Sequence, residues 1–307
     1  MYGEELWKAS PMHAANNVNG VGHVGRYEVY GLKEEALTDV QVAVTQRIVR
    51  ELNPFDNVYY EICNEPYERG GMHPDWQGRV IAAVHEVETA LPSQHLISLN
   101  FAYGSAQIAK PHPEVSLYNF HAAKPETVTL NYGLGRAIGD NETGGSRRDD
   151  ATYRIQGWEF ILAGGALFSH LDFSFAATHP RGTLLDHRGP GGGSPALRRQ
   201  LQVLKEFIHS FEFVRMKPDN SLIKSGVPER GRAWALVEPG RAYAIYLVGR
   251  GPVELTLELP AGVFRAEWIN TLSGSLEREE SFPHEGGPRR LPSPDFAEDI
   301  ALRVRAE

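Results

Sequence analysis

Between residues 38 and 211, runs of β-branched and aromatic residues alternate with stretches whose apolar side chains recur every third or fourth position. A succession of parallel βαβ units satisfies both periods in that order. The strand-like runs are Asn57–Cys63, His95–Tyr103, Val115–His121, Ala137–Gly144 and Gly165–Phe175. Between them the spacing predicts a helix opening at Thr38-Asp39, with Val40, Val44, Ile48 and Leu52 on one apolar face, and a second opening at Pro74-Asp75, with Trp76, Val80, Val84 and Leu91 turned inward. A third carries Tyr153, Trp158 and Ile161, and a fourth runs from about Pro195 to Phe211. An open doubly wound sheet would show the same alternation. No strand, however, is followed by the glycine fingerprint of a dinucleotide site: Gly133-Leu-Gly-Arg-Ala-Ile-Gly139 has the wrong spacing and precedes a strand.

The character of the chain changes near residue 232. Ala233–Val237, Ala242–Val248, Val253–Leu259, Phe264–Asn270 and Ile300–Arg305 alternate with period two between glycine and proline turns, the pattern of a small antiparallel β-sandwich. The 307 residues therefore divide into a βα domain over 1–217 and a β-sandwich over 218–307. With 31 basic against 39 acidic residues the net charge is −8, and no basic stripe exists to neutralise phosphates, so a nucleic-acid partner is not expected. Arg147-Arg148 and Arg198-Arg199 read as solvated faces. Cys63 is the single cysteine, which excludes an intrachain disulfide and a cysteine-built zinc site. No apolar run is long enough for a membrane helix, and the first residues lack the pattern of a signal peptide, which leaves localisation open.

The first strand-like run ends abruptly at Asn64-Glu65-Pro66. Proline stops the ladder, so a carboxylate is held at the rim of a sheet. Tyr60-Glu-Ile-Cys-Asn64-Glu65-Pro66 resembles the fourth strand of the cellulase-like clan of (β/α)8-barrel glycoside hydrolases. The resemblance implies that Glu65 is a general acid/base and that Asn64 holds the 2-hydroxyl of a sugar. Glycoside hydrolysis requires a second carboxyl group on the same rim, and in a parallel barrel that rim is formed by the C-terminal ends of all the strands. Glu142 closes a later strand and matches the clan's seventh-strand nucleophile. Asp140, one step deeper on the same face, and Asp172 are its rivals. His121 matches the sixth-strand position beside the nucleophile, Asn100 and Tyr103 end the fifth strand as substrate contacts, and His13, Asn16 and Asn17 occupy a turn-rich loop that could line a sugar site.

Five strands fit the fourth to eighth of such a barrel. The fold expected is a (β/α)8 TIM barrel lacking about its first three βα units, followed by the β-sandwich, with exposed barrel edges through which copies of the chain could self-associate. The sandwich resembles accessory domains, of the kind labelled collagen-binding, appended to several barrel glycosidases; Trp268 reads as part of its core. The function implied is retaining hydrolysis of β-glycosidic bonds in an oligo- or polysaccharide, with no metal or other cofactor. The alternative is an inactive or carbohydrate-binding fragment. Three further points concern the rim. Glu61 shares parity with Glu65 and needs a partner if buried. Phe173 and Phe175 stand where the clan usually has a tryptophan. Gly189-Pro-Gly-Gly-Gly-Ser194 reads as an active-site loop.

Overall fold

The computed structural model describes residues 3–66, 73–143, 149–187, 189 and 191–307; Arg147 and Arg148 lie outside the described residues. Two compact units are present, Met1–His121 with Gly133–Gly139, and Ala122–Tyr132 with Asp140–Glu307.

In the first unit, α1 (Glu4–Lys8) and a loop precede α2 (Glu35–Leu52), followed by β1 (Tyr60–Glu61), α3 (Pro74–Thr89), β2 (Ile97–Tyr103) and β3 (Leu117–His121). β1 pairs in parallel with β2, and β2 with β3. Every residue of β3 is buried. α3 starts where its sequence places it: Pro74 occupies the first turn, and the His73 side chain accepts the Asp75 amide.

The apolar face of α2 differs from expectation. Val44 and Ile48 are 52% and 46% exposed, while Leu37, Thr38, Gln41 and Val49 are buried. Hydrogen bonding decides this. Gln41 accepts the Trp76 indole N–H at 2.7 Å and donates to the Val29 carbonyl at 2.8 Å, so a polar residue fully satisfied by its neighbours takes the inner face.

At the N-terminal end of β2, the His95 ring joins α3 to the turn after α2: Nδ1 meets Glu88 and Nε2 lies 2.7 Å from the Phe55 carbonyl. The Glu88 carboxylate, then the Phe55 carbonyl, hold the His95 pKa above its ordinary value. A raised histidine pKa stabilises the fold fully below the unfolded value, about 6.5, and that stabilisation is lost as pH rises through the folded value. Glu88→Gln is therefore expected to lower the melting temperature more at pH 6 than at pH 9. Equal losses at both would show that charge plays no part in the link.

The second unit contains α4 (Pro125–Asn131), the end of β4 (Ala137–Thr143), α5 (Asp150–Leu162), β5 (Leu167–His170) and α6 (Pro195–His209), and the seven strands that follow. β4 runs through both units. Its start is tied by the Ala137 amide to the Ser116 carbonyl, and its end by the Ala122 amide to the Glu142 carbonyl and by the Leu171 amide to the Thr143 carbonyl. The strand order is β1-β2-β3-β4 in the first unit and β4-β5 in the second. The result is a parallel sheet of five strands, each at a position where the sequence predicts one.

The later strands are β6 (Lys217–Pro218), β7 (Ile223–Ser225), β8 (Arg232–Glu238), β9 (Ala242–Val248), β10 (Glu254–Ile269), β11 (Leu276–Pro292) and β12 (Asp299–Ala306). They form one antiparallel sheet in the order β11-β10-β12-β9-β8-β6, with β7 also on β10. Two expected strands, Val253–Leu259 and Phe264–Asn270, are a single long β10 paired along its length with β11, which the sequence pattern did not reveal. Leu257, Phe264, Trp268, Phe282 and Leu291 from this hairpin share one apolar core with Tyr243, Ile245 and Leu302. A second cluster packs Trp158, Leu162, Leu204 and Phe207 of α5 and α6 against Leu236, Ala244, Tyr246 and Ala301. Across it the buried Arg154 pairs with Asp299, which also accepts the Tyr246 hydroxyl at 2.8 Å.

Candidate active site

In the first unit, parallel pairing continues one residue beyond β1, where the Ile62 amide donates to the Ser98 carbonyl at 3.2 Å. The chain then turns through Cys63 and the exposed Asn64 to Glu65, whose φ of 47° puts a residue with a β-carbon in the left-handed region. Such a conformation is costly and persists only where its surroundings over-determine it. Two contacts do so here. The Glu65 amide donates to Asn100 Oδ1 at 3.1 Å, and Glu65 Oε1 lies 2.9 Å from His121 Nδ1. The His121 side chain is 1% exposed and that of Glu65 20%, so the carboxyl group is anchored from within and open on one side.

Asn100 is 1% exposed, and its side-chain oxygen grips the Glu65 backbone. Tyr103 is 67% exposed at the end of β2. Glu61 accepts from Asn119 Nδ2 of β3 at 2.6 Å. Burial pushes the Cys63 thiol up to about 11, which leaves it protonated and without nucleophilic character at neutral pH. The Asn17 side chain is used on its own loop. It donates to the His13 and Val21 carbonyls, both at 2.9 Å, and accepts the Asn19 amide. Asn16 similarly holds the Lys8 and Ser10 carbonyls.

In the second unit, Glu142 is half-buried near the end of β4, and Asp140, two residues earlier on the same face, is 1% exposed. Neither Asp140 oxygen closes a hydrogen bond among the described residues. Burial raises its pKa to about 8, the nearby Ala122 and Ala123 amides offsetting only part of that and Glu142 adding to it. Asp140 is therefore predominantly a neutral acid at pH 7, a poor nucleophile. Asp172 has the opposite character. Burial alone would raise its pKa, but hydrogen bonds from the Ser174 hydroxyl and amide and from Arg198 outweigh it and hold the carboxylate low.

The glycine run before α6 serves this carboxylate. A β-carbon on Gly193, at φ +121°, would stand 2.0 Å from Asp172 Oδ1, and one on Gly192 would stand 2.1 Å from the Tyr153 ring. Ser194 caps α6 by accepting the Leu197 amide and donates its hydroxyl proton to Asp150 at 2.7 Å. Arg198 is not the solvated residue its sequence context suggests, because its guanidinium reaches Asp172 at 2.9 Å. A signal for this existed: a cation in the first turn of a helix opposes the dipole unless an anion compensates it.

No protein-family profile matches the sequence, and no curated protein matches it. Solved structures do match. A glycoside hydrolase superposes with a TM-score of 0.66 at 14% identity, covering 88% of this chain and 69% of its own. A glycoside hydrolase family 5 protein from Bacteroides vulgatus gives 0.64 at 15%, covering 89% and 68%. The family 30 subfamily 8 xylanase from Clostridium acetobutylicum gives 0.51 at 13%, covering 89% and 73%. At these identities the likeness is one of fold: a parallel half-barrel sheet followed by an antiparallel sheet.

Proposed function

We propose that the chain is a retaining β-glycoside hydrolase of the cellulase-like clan, with Glu65 as acid/base and Glu142 as nucleophile. The observation that carries this reading is Glu65 itself. It stands just past a parallel strand in a strained left-handed conformation, with its amide held by Asn100 and its carboxyl group against the buried His121. A proton donor to a leaving oxygen needs this kind of fixed orientation with one open side. Glu142 is half-buried near the end of β4, and its rivals suit attack less well, Asp140 being neutral and Asp172 already accepting three hydrogen bonds from Ser174 and Arg198. In this reading the exposed Asn64 meets the sugar 2-hydroxyl, the exposed Tyr103 adds a ring, and Asn17 contributes by shaping its loop. The antiparallel sheet over 218–307 is read as an accessory β-sandwich, and the substrate as a β-linked oligo- or polysaccharide.

Azide rescue tests the two roles. Glu65→Ala is expected to retain glycosylation by activated aryl β-glycosides and to yield the β-glycosyl azide, while Glu142→Ala with azide yields the α-anomer. Swapped anomers would reverse the assignment, and sugar binding without turnover in the unchanged chain would replace hydrolysis by recognition.

A further inference from the structure

From the loop that follows β5 we infer that Asp172, Ser174 and Arg198 form a clamp that positions this loop as one wall of the sugar site, making them positioning residues. The inference rests on the glycosidase reading above. Because Leu171 pairs with Thr143, the segment beginning at Asp172 leaves the sheet beside the strand end that carries Glu142. Asp172 Oδ1 accepts both the amide and the hydroxyl of Ser174, a residue with no exposed surface, and Oδ2 accepts Arg198 Nη1. The same Nη1 donates to the Ser174 hydroxyl at 2.7 Å, while Nη2 reaches the Gly182 carbonyl across the loop. The loop returns to the same point, since the Leu184 amide donates to the Ser174 carbonyl at 3.1 Å.

A planar guanidinium is suited to this place, because it binds a carboxylate with one nitrogen and a loop carbonyl with the other. A lysine ammonium offers no such fork. Asp172 accepts three hydrogen bonds from Ser174 and Arg198, which ties its carboxylate to the loop and to α6. What the clamp presents outward is Phe175, 51% exposed with the Arg198 guanidinium 4.8 Å from its ring centroid, and Leu185, 69% exposed. An aryl face backed by a fixed cation is a surface for the apolar side of a sugar ring.

The Arg181-Gly182 bond lies in the clamped segment, so trypsin reports on the loop independently of any activity. Arg198→Met and Asp172→Asn are expected to be nicked after Arg181 at least about tenfold faster than the unchanged chain, since proteolysis follows the population of the opened segment. KM for the aryl β-glycoside turned over fastest should rise about tenfold with kcat changed less than about twofold, the signature of lost positioning in binding. Arg198→Lys should nick nearly as fast as Arg198→Met, because charge without the fork does not hold Gly182. Ser174→Ala removes one hydroxyl while leaving both charges, and provides an intermediate nicking rate if a charge variant fails to fold. Unchanged nicking in these variants overturns the clamp. Faster nicking with KM unmoved overturns its part in sugar binding while the function stands. Neither turnover nor sugar binding by the unchanged chain overturns the glycosidase reading and the sugar wall with it, the nicking rates still deciding the clamp.

Discussion

Glu142→Gln is expected to lower kcat on aryl β-glycosides by about 10³–10⁵-fold, roughly 4–7 kcal/mol of activation free energy. The amide is nearly isosteric but cannot form the covalent glycosyl ester, so the loss should be similar for every leaving group. Glu65→Gln should behave differently. A general acid contributes about 10²–10⁴-fold, and its contribution to glycosylation fades as the leaving group needs less protonation. A 2,4-dinitrophenyl glycoside should therefore show a burst in the Glu65 variant, followed by slow deglycosylation, and none in the Glu142 variant. The measurement is rapid-quench kinetics across leaving groups of graded acidity. A Glu142→Gln loss below about tenfold would remove that residue from the reaction. A leaving-group-independent loss in Glu65→Gln would remove proton donation from its role.

The parallel sheet was legible because its evidence is local. Each of the five strands carries its own apolar period, and even β1, only two residues long by backbone pairing, sits within a run whose proline marks its end. The face of α2 was not legible, because the stripe Val40, Val44, Ile48, Leu52 and the stripe containing Leu37, Gln41 and Val49 have the same spacing. The indole of Trp76 and the carbonyl of Val29, both distant in sequence, choose between them. β11 was missed for a different reason: of its 17 residues only Phe282 and Leu291 are buried, so it has almost no apolar alternation to read. Of the proposed catalytic groups, Glu65, His121 and Glu142 could be picked out from their positions near strand ends. The tasks of Asn100 and Arg198 depend on contacts 35 and 26 residues away, which spacing does not encode.

Asp140→Asn should stabilise the chain in a strongly pH-dependent way. The burial of Asp140 raises its pKa from an ordinary 3.8 to about 8, so between those values the folded chain holds one proton more than the unfolded chain. Stability must fall as pH rises through that window, by up to about 1.4 kcal/mol per pH unit, and level off above it. Asparagine resembles the protonated acid in shape and cannot ionise, which removes the slope. The gain of Asp140→Asn over the unchanged chain should be near zero at pH 4 and grow to an upper limit of about 5 kcal/mol at pH 8.5. Urea titrations of both proteins from pH 4 to 8.5 measure this directly. A gain that stays flat with pH would mean that Asp140 ionises normally despite its burial. Because Glu142 lies two residues away and its charge adds to the raised pKa, Glu142→Gln should flatten part of the same slope. That coupling separates an Asp140 sensitive to the charge of the proposed nucleophile from one governed by burial alone.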